Sequence, residues 1–97
     1  MSDSTDRSTV RIRVEGQVQA VGFRDFVISE ATALGVDGWV RNRTDGTVEI
    51  LVSGETKAVE ALVLASMRGP KHARVSNIEL HPAQPPEQAG FHRRPTD

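Results

Sequence analysis

Residues 16–22 and the arginine that follows them carry the clearest candidate chemistry in this sequence. The segment reads Gly16-Gln17-Val18-Gln19-Ala20-Val21-Gly22 and leads into a helical pattern that begins at Phe23. Unpaired backbone N–H groups at a helix N-terminus bind anions, and glycines let the backbone curl so that several of these groups converge. The guanidinium of Arg24 is placed to bond a phosphoryl group in a bidentate manner.

These residue types alone leave other interpretations open. The spacing matches neither a P-loop nor G-x-G-x-x-G, and a glycine-bounded connection with a surface arginine has the same pattern. The amide of Asn42 both donates and accepts, which suits a residue that holds a water, but asparagine is also common in turns. Asp25 is either a base or a first-turn carboxylate that favours the helix dipole.

The composition excludes several classes of protein. With 97 residues the chain fits one domain. It has no cysteine, which rules out disulfides, Fe–S clusters, cysteine-ligated zinc and a phosphatase that works through phosphocysteine. Its net charge of −1 gives no support to nucleic-acid binding. His72, His81 and His92 show no metal-ligand spacing, so we expect surface histidines and no metal or cofactor.

No apolar run approaches the roughly 20 residues of a membrane span, and the N-terminus lacks a signal-peptide core. We therefore expect a cytoplasmic protein without a membrane partner. Residues 1–7 are polar without a period and predict a flexible tail, which leaves residues 8–97 as a single domain.

The apolar pattern between these limits predicts four strands and two helices. Alternation of apolar and polar residues indicates strands near residues 10–14, 36–43, 48–52 and 75–80, and the last needs a bulge because Val75 is out of phase. A helical stripe starts at Phe23. Ser53-Gly54-Glu55 opens a second helix, with Val59, Leu62, Val63 and Met67 on its buried face. Asp45-Gly46 predicts a hairpin, and Phe91 is a candidate for a short last strand. The order β-α-β-β-α-β predicts an α+β, ferredoxin-like fold: a four-stranded antiparallel sheet with two helices on one face.

Two segments resemble the acylphosphatase family. Residues 16–24 follow the family's Gly-Arg-Val-Gln-Gly-Val-x-Phe-Arg pattern. Gly35-Val36-Asp37-Gly38-Trp39-Val40-Arg41-Asn42, then Asp45-Gly46-Thr47-Val48 and Gly54, follow Gly-x-x-Gly-Trp-Val-x-Asn…Gly-x-Val…Gly. The likeness spans residues 10–80, and two segments matched in order and spacing are more specific than either alone.

The resemblance implies hydrolysis of small acyl phosphates to a carboxylate and inorganic phosphate, in a ferredoxin-like (acylphosphatase-like) domain without metal or cofactor. It gives Arg24 the role of the phosphate-binding arginine. Residues 16–22, which are Gly16, Gln17, Val18, Gln19, Ala20, Val21 and Gly22, take the role of the phosphate cradle. Asn42 takes the role of the residue that positions the attacking water. We expect a monomer with a small-molecule substrate and no nucleic-acid partner.

Three positions depart from the family pattern. Ala20 and Gln17 stand where the family has glycine and often arginine, and Arg93 replaces the apolar residue of the closing Phe-x-Ile-Arg. If position 20 needs a positive φ, an L-residue there costs roughly 1–2 kcal/mol.

The alternative function is a non-catalytic anion-binding domain on the same fold. An RNA-recognition module is disfavoured because strands 10–14 and 47–52 contain no aromatic residue on which bases stack.

Overall fold

The computed structural model describes residues 6–97, which form one mixed sheet and two helices. The elements in chain order are β1 (Arg7–Gln17), α1 (Phe23–Leu34), β2 (Asp37–Asn42), β3 (Val48–Glu55), α2 (Thr56–Arg68), β4 (Arg74–Pro82) and β5 (Phe91–Arg93). The strand order is β4-β1-β3-β2-β5, and β1 to β4 pair with one another in antiparallel fashion. The predicted ferredoxin-like fold is confirmed.

The predicted strand count of four is corrected to five. Residues 91–93 pair in parallel with residues 38–40 of β2, and the backbone N–H of Arg94 continues the pairing by donating to the carbonyl of Val40 at 2.9 Å. A three-residue strand is too short to show alternation, and nothing local in the sequence specifies a partner so far away along the chain.

The first strand begins earlier than the sequence suggested. Arg7, at the end of the predicted flexible tail, pairs with Glu55 in β3. Residues 1–5 of that predicted tail lie outside the described residues. No helix of residues 6–97 is long and apolar enough to cross a membrane.

Both helices cover one face of the sheet. The side chains that meet there are fully buried and apolar: Ile12, Val14, Val48, Ile50 and Val52 from the strands, and Phe23, Val27, Ala31, Val59 and Leu62 from the helices. Gly35 ends α1 in the left-handed conformation with φ of 72°, as favoured by glycine at a helix C-terminus.

Helix α2 differs from its prediction in start and in buried face. Strand β3 continues through Glu55, so the helix begins at Thr56. Met67 was predicted to be buried, but it is 52% exposed and the neighbouring Ser66 is fully buried. Ser66 continues the i, i+3, i+7 stripe of Val59 and Leu62. Its hydroxyl donates a hydrogen bond to the Leu62 carbonyl at 2.8 Å. Ser66 can therefore occupy the core position that the apolar pattern predicted for Met67.

The predicted bulge in the fourth strand is confirmed. Glu15 lies opposite Asn77 and Gly16 opposite Val75, which leaves Ser76 as the extra residue. Gly16 has φ of +128°, and a Cβ there would lie 2.1 Å from the carbonyl oxygen of Arg74. The bulge therefore requires glycine at the point where β1 turns toward the loop that precedes α1.

Candidate active site

A cavity of about 190 Å³ lies where the loop after β1, the N-terminus of α1 and the end of β2 meet. We call it the site cavity, and its lining is Val18, Ala20, Gly22, Phe23, Arg24, Asp25, Asn42 and Arg93. The fold therefore brings Arg24 and Asn42 to one cavity, together with part of the segment predicted as a phosphate cradle.

The seven predicted cradle residues divide into two groups. Val18, Ala20 and Gly22 line the site cavity, whereas Gly16, Gln17, Gln19 and Val21 do not. Gly16 and Gln17 belong to β1 and pair with β4, so the loop proper is residues 18–22. The predicted loop is two residues too long. A glycine-bounded segment without a period does not show that its first two residues still pair with a neighbouring strand.

Backbone N–H groups at this end of α1 remain available for a ligand. Gly22 precedes the helix in the left-handed conformation, with φ of 78°, and no side chain caps the helix. The first helical bond is donated by Phe26 to the Gly22 carbonyl at 3.0 Å, and within residues 6–97 no hydrogen bond is donated by the N–H groups of residues 20–25. These groups and the helix dipole favour a bound anion.

The side chains of Arg24 and Asn42 also have no partner among the described residues. Among the described residues, none forms an ion pair with Arg24. The Asn42 side-chain amide likewise takes part in no hydrogen bond to residues 6–97, while its backbone carbonyl accepts one from Asp97 at 3.2 Å. A cation and an amide without internal partners therefore face the same small cavity.

Gln19 has a role that the sequence did not indicate. Its side-chain amide donates to the carbonyl oxygens of Arg43 and Thr47, both at 2.8 Å. These carbonyls flank the β2–β3 hairpin directly after Asn42, so Gln19 fixes the loop relative to Asn42. It does not line the cavity. A glutamine in a loop shows no spacing signal from which this bond could be predicted.

A second cavity of about 180 Å³ lies on the sheet face away from the helices and is rich in arginine. The cations that line it are already paired: Arg11 and Arg43 with Glu49, at 3.3 and 2.9 Å, and Arg13 with three carboxylates. Glu49 is only 5% exposed and also accepts from Arg41, outside the lining, at 2.7 Å. Burial raises the pKa of Glu49, but the hydrogen bonds and charges of Arg41 and Arg43 outweigh burial and hold it below its usual value. This cluster ties β2 to β3 and leaves less free positive charge for an anion than the site cavity.

The comparisons with known proteins agree with this geometry. The family model described as acylphosphatase matches residues 10–93. The chain is 44% identical to the acylphosphatase of Rhodospirillum rubrum, over 91% of this chain and 97% of that protein, and 49% identical to that of Acidiphilium cryptum, over 86% and 91%. The crystal structure of acylphosphatase from Bacillus subtilis superposes with a TM-score of 0.83 at 39% identity, covering 89% of this chain and 97% of that one.

The chain belongs to the acylphosphatase family. Its activity is the hydrolysis of acyl phosphates, because the similarity extends over nearly the whole length of both proteins in these comparisons.

Ala20 holds the backbone conformation for which the acylphosphatase pattern has glycine. Its φ is 62°, and no other non-glycine residue of the described chain has a positive φ. We expect Ala20→Gly to raise the free energy of unfolding by about 1 kcal/mol, since glycine adopts this conformation without strain. Benzoyl phosphate turnover stays equal or rises. Urea denaturation and initial rates measure both, and a clear fall in turnover would contradict the role assigned to this backbone position.

Asp45 makes the stability of the hairpin beside Asn42 depend on pH. The hydroxyl and backbone N–H of Thr47 donate to its carboxylate at 2.7 and 3.0 Å and lower its pKa from 3.8 to about 2. The carboxylate therefore contributes stability above pH 4 that is lost as the pH falls toward 2. We expect the native chain to have a higher urea midpoint than Asp45→Asn at pH 6, and the gap to close below pH 3. A difference in urea midpoint that does not change with pH would show that the charge of Asp45 does not stabilise the fold.

Proposed function

We propose that the site cavity is where this acylphosphatase binds and hydrolyses its substrate. The observation that carries the proposal is the meeting of Arg24 and Asn42, both without internal partners, at a cavity beside an uncapped helix N-terminus. The phosphoryl oxygens accept hydrogen bonds from backbone N–H groups after Val18 and in the first turn of α1. The Arg24 guanidinium closes over the same oxygens with two parallel bonds.

Catalysis at such a site consists mainly of positioning and charge stabilisation. Phosphoryl transfer passes through a transition state whose charge lies on the equatorial oxygens, where the loop amides and Arg24 act. Asn42 holds a water in line with the bond to the leaving carboxylate. That carboxylate departs without a proton, so the site needs no general acid. The substrate's own phosphate accepts the proton of the water, which fits a cavity whose one carboxylate, Asp25, is paired with Arg93.

We propose further that the chain works as a monomer on small-molecule acyl phosphates. The side chains that the proposed mechanism uses, Arg24 and Asn42, lie at one cavity of a single chain, so the mechanism needs no second copy. That cavity of about 190 Å³ accepts a phosphoryl group but no folded partner. The net charge of −1 also disfavours a nucleic-acid partner. The cytoplasmic location stays a prediction.

Hydrolysis of benzoyl phosphate tests this function. The purified protein is assayed at neutral pH, corrected for spontaneous breakdown, with inorganic phosphate as a competing ligand. We expect turnover far above background and competitive inhibition by phosphate. Phosphate binding without turnover would favour the alternative, a non-catalytic anion-binding domain. Turnover that phosphate does not inhibit would place the reaction outside the proposed site.

A further inference from the structure

The side chain of residue 93 lies in the site cavity, and in this chain it is an arginine. Alternate residues of a strand point to the same face. Phe91 packs against the core, so Arg93, two residues later, points to the helix side of the sheet, beside the first turn of α1. The family's closing pattern has an apolar residue there. The fold therefore gives this chain a second cation at the site.

The charge balance of the cavity depends on this cation. Arg24 and Asp25 alone would give it no net charge, whereas Arg93 makes it positive. Arg93 donates to Asp25, but the two side chains are 45% and 76% exposed. An ion pair so exposed is weak, because the solvent screens it. A guanidinium has five N–H donors, and the bond to Asp25 occupies one of them. Arg93 can therefore bind a ligand group at little cost.

Arg93 also borders a larger cavity at the sheet edge. This cavity, of about 720 Å³, is shared with His92, Arg94 and the loop at residues 85–88. With the phosphoryl group bound at the start of α1, the acyl part of the substrate extends away from that helix. On the β5 side it passes Arg93, the residue common to both linings.

We propose that Arg93 is a specificity-determining residue that binds an anionic group on the acyl part of the substrate. The chain then favours acyl phosphates whose acyl group carries a carboxylate over otherwise identical uncharged ones. This inference rests on the proposed function of the site cavity, because it assumes that the phosphoryl group binds beside Arg24.

Binding of two non-hydrolysable analogues tests the inference without relying on turnover. Phenacylphosphonate replaces the bridging oxygen of benzoyl phosphate by a methylene, and its 4-carboxy derivative adds one carboxylate far from the phosphorus. Calorimetry gives the two dissociation constants for the native chain and for Arg93→Met, which keeps an unbranched apolar stem but removes the charge. We expect the native preference for the carboxylated analogue to fall roughly fivefold to tenfold in Arg93→Met.

Arg68→Met is the matched control. Arg68 lies in the last turn of α2 and lines neither cavity, so its loss changes the net charge equally and leaves the preference intact. An unchanged preference in Arg93→Met, or an equal fall in Arg68→Met, would overturn the inference, as would failure of both analogues to bind. Benzoyl phosphate turnover, measured separately, shows whether the proposed function itself holds.

Discussion

Replacement of Arg24 by alanine is expected to lower kcat/KM for benzoyl phosphate roughly 1,000-fold or more. Arg24 lines the site cavity and has no ion-pair partner among the described residues, so its charge is available to the phosphoryl group. The guanidinium stabilises the charge of the transition state more than that of the ground state. The loss therefore appears mainly in kcat, with a smaller rise in KM. Steady-state rates over a range of substrate concentrations separate the two.

Two further variants show whether the effect is local. Arg24→Lys keeps the charge but cannot form two parallel bonds, and we expect it to lose roughly a hundredfold. Arg68→Ala removes the same charge from an exposed position in the last turn of α2 and leaves kcat/KM within about twofold of the native value, as surface charges act weakly. A fall in Arg68→Ala comparable to that in Arg24→Ala would mean that overall charge, and not the site, governs the rate.

Replacement of Asn42 by alanine is expected to lower kcat roughly 100- to 1,000-fold while inhibition by phosphate stays close to native. The side-chain amide has no partner within the described chain and lines the site cavity. In the proposed mechanism it contacts the water and not the phosphoryl oxygens. Removing it therefore disorders the nucleophile without weakening the cradle. Kinetics with inorganic phosphate as competitor measure both quantities in one series.

Asn77→Ala provides the control for this variant. Asn77 is exposed on β4, so the same truncation there leaves kcat and phosphate inhibition unchanged. If Asn42→Ala weakens phosphate binding as much as it lowers kcat, Asn42 binds the phosphoryl group and the water-positioning role is wrong.

The fold could be predicted because most of its elements are long and strongly patterned. The alternation around Ile12 and Ile50 and the stripe that starts at Phe23 place each buried side chain on one face, which specifies the sheet and its helices. Only Phe91 indicated β5, since three residues show no period, and its parallel pairing with β2 is a long-range contact that the sequence does not specify. The burial of Ser66 could not be predicted from hydropathy, because it depends on a hydrogen bond from the Ser66 hydroxyl to the carbonyl of Leu62.

The candidate site was predictable only in part. The family pattern pointed to Arg24 and Asn42 as site residues. It also has glycine at position 20, which implied strain at Ala20 if φ is positive there, and Ala20 does have a positive φ. The positioning bonds of Gln19 and the presence of Arg93 in the cavity depend on how distant segments meet. A sequence pattern records which residue types occur, but it does not record which side chain turns away from a loop or reaches a cavity from a neighbouring strand.

A titration of the ¹⁵N-labelled protein with inorganic phosphate shows where the phosphoryl group binds. In the proposed site, backbone N–H groups at the start of α1 hold it together with Arg24. We predict that the largest amide chemical-shift changes fall in residues 19–24 and that Arg24→Ala weakens the apparent affinity. The arginine-rich cavity on the opposite face contains Arg11, Arg13 and Arg43. If the largest changes fall at those residues and Arg24→Ala leaves the affinity unchanged, the phosphate site lies there and the account is wrong.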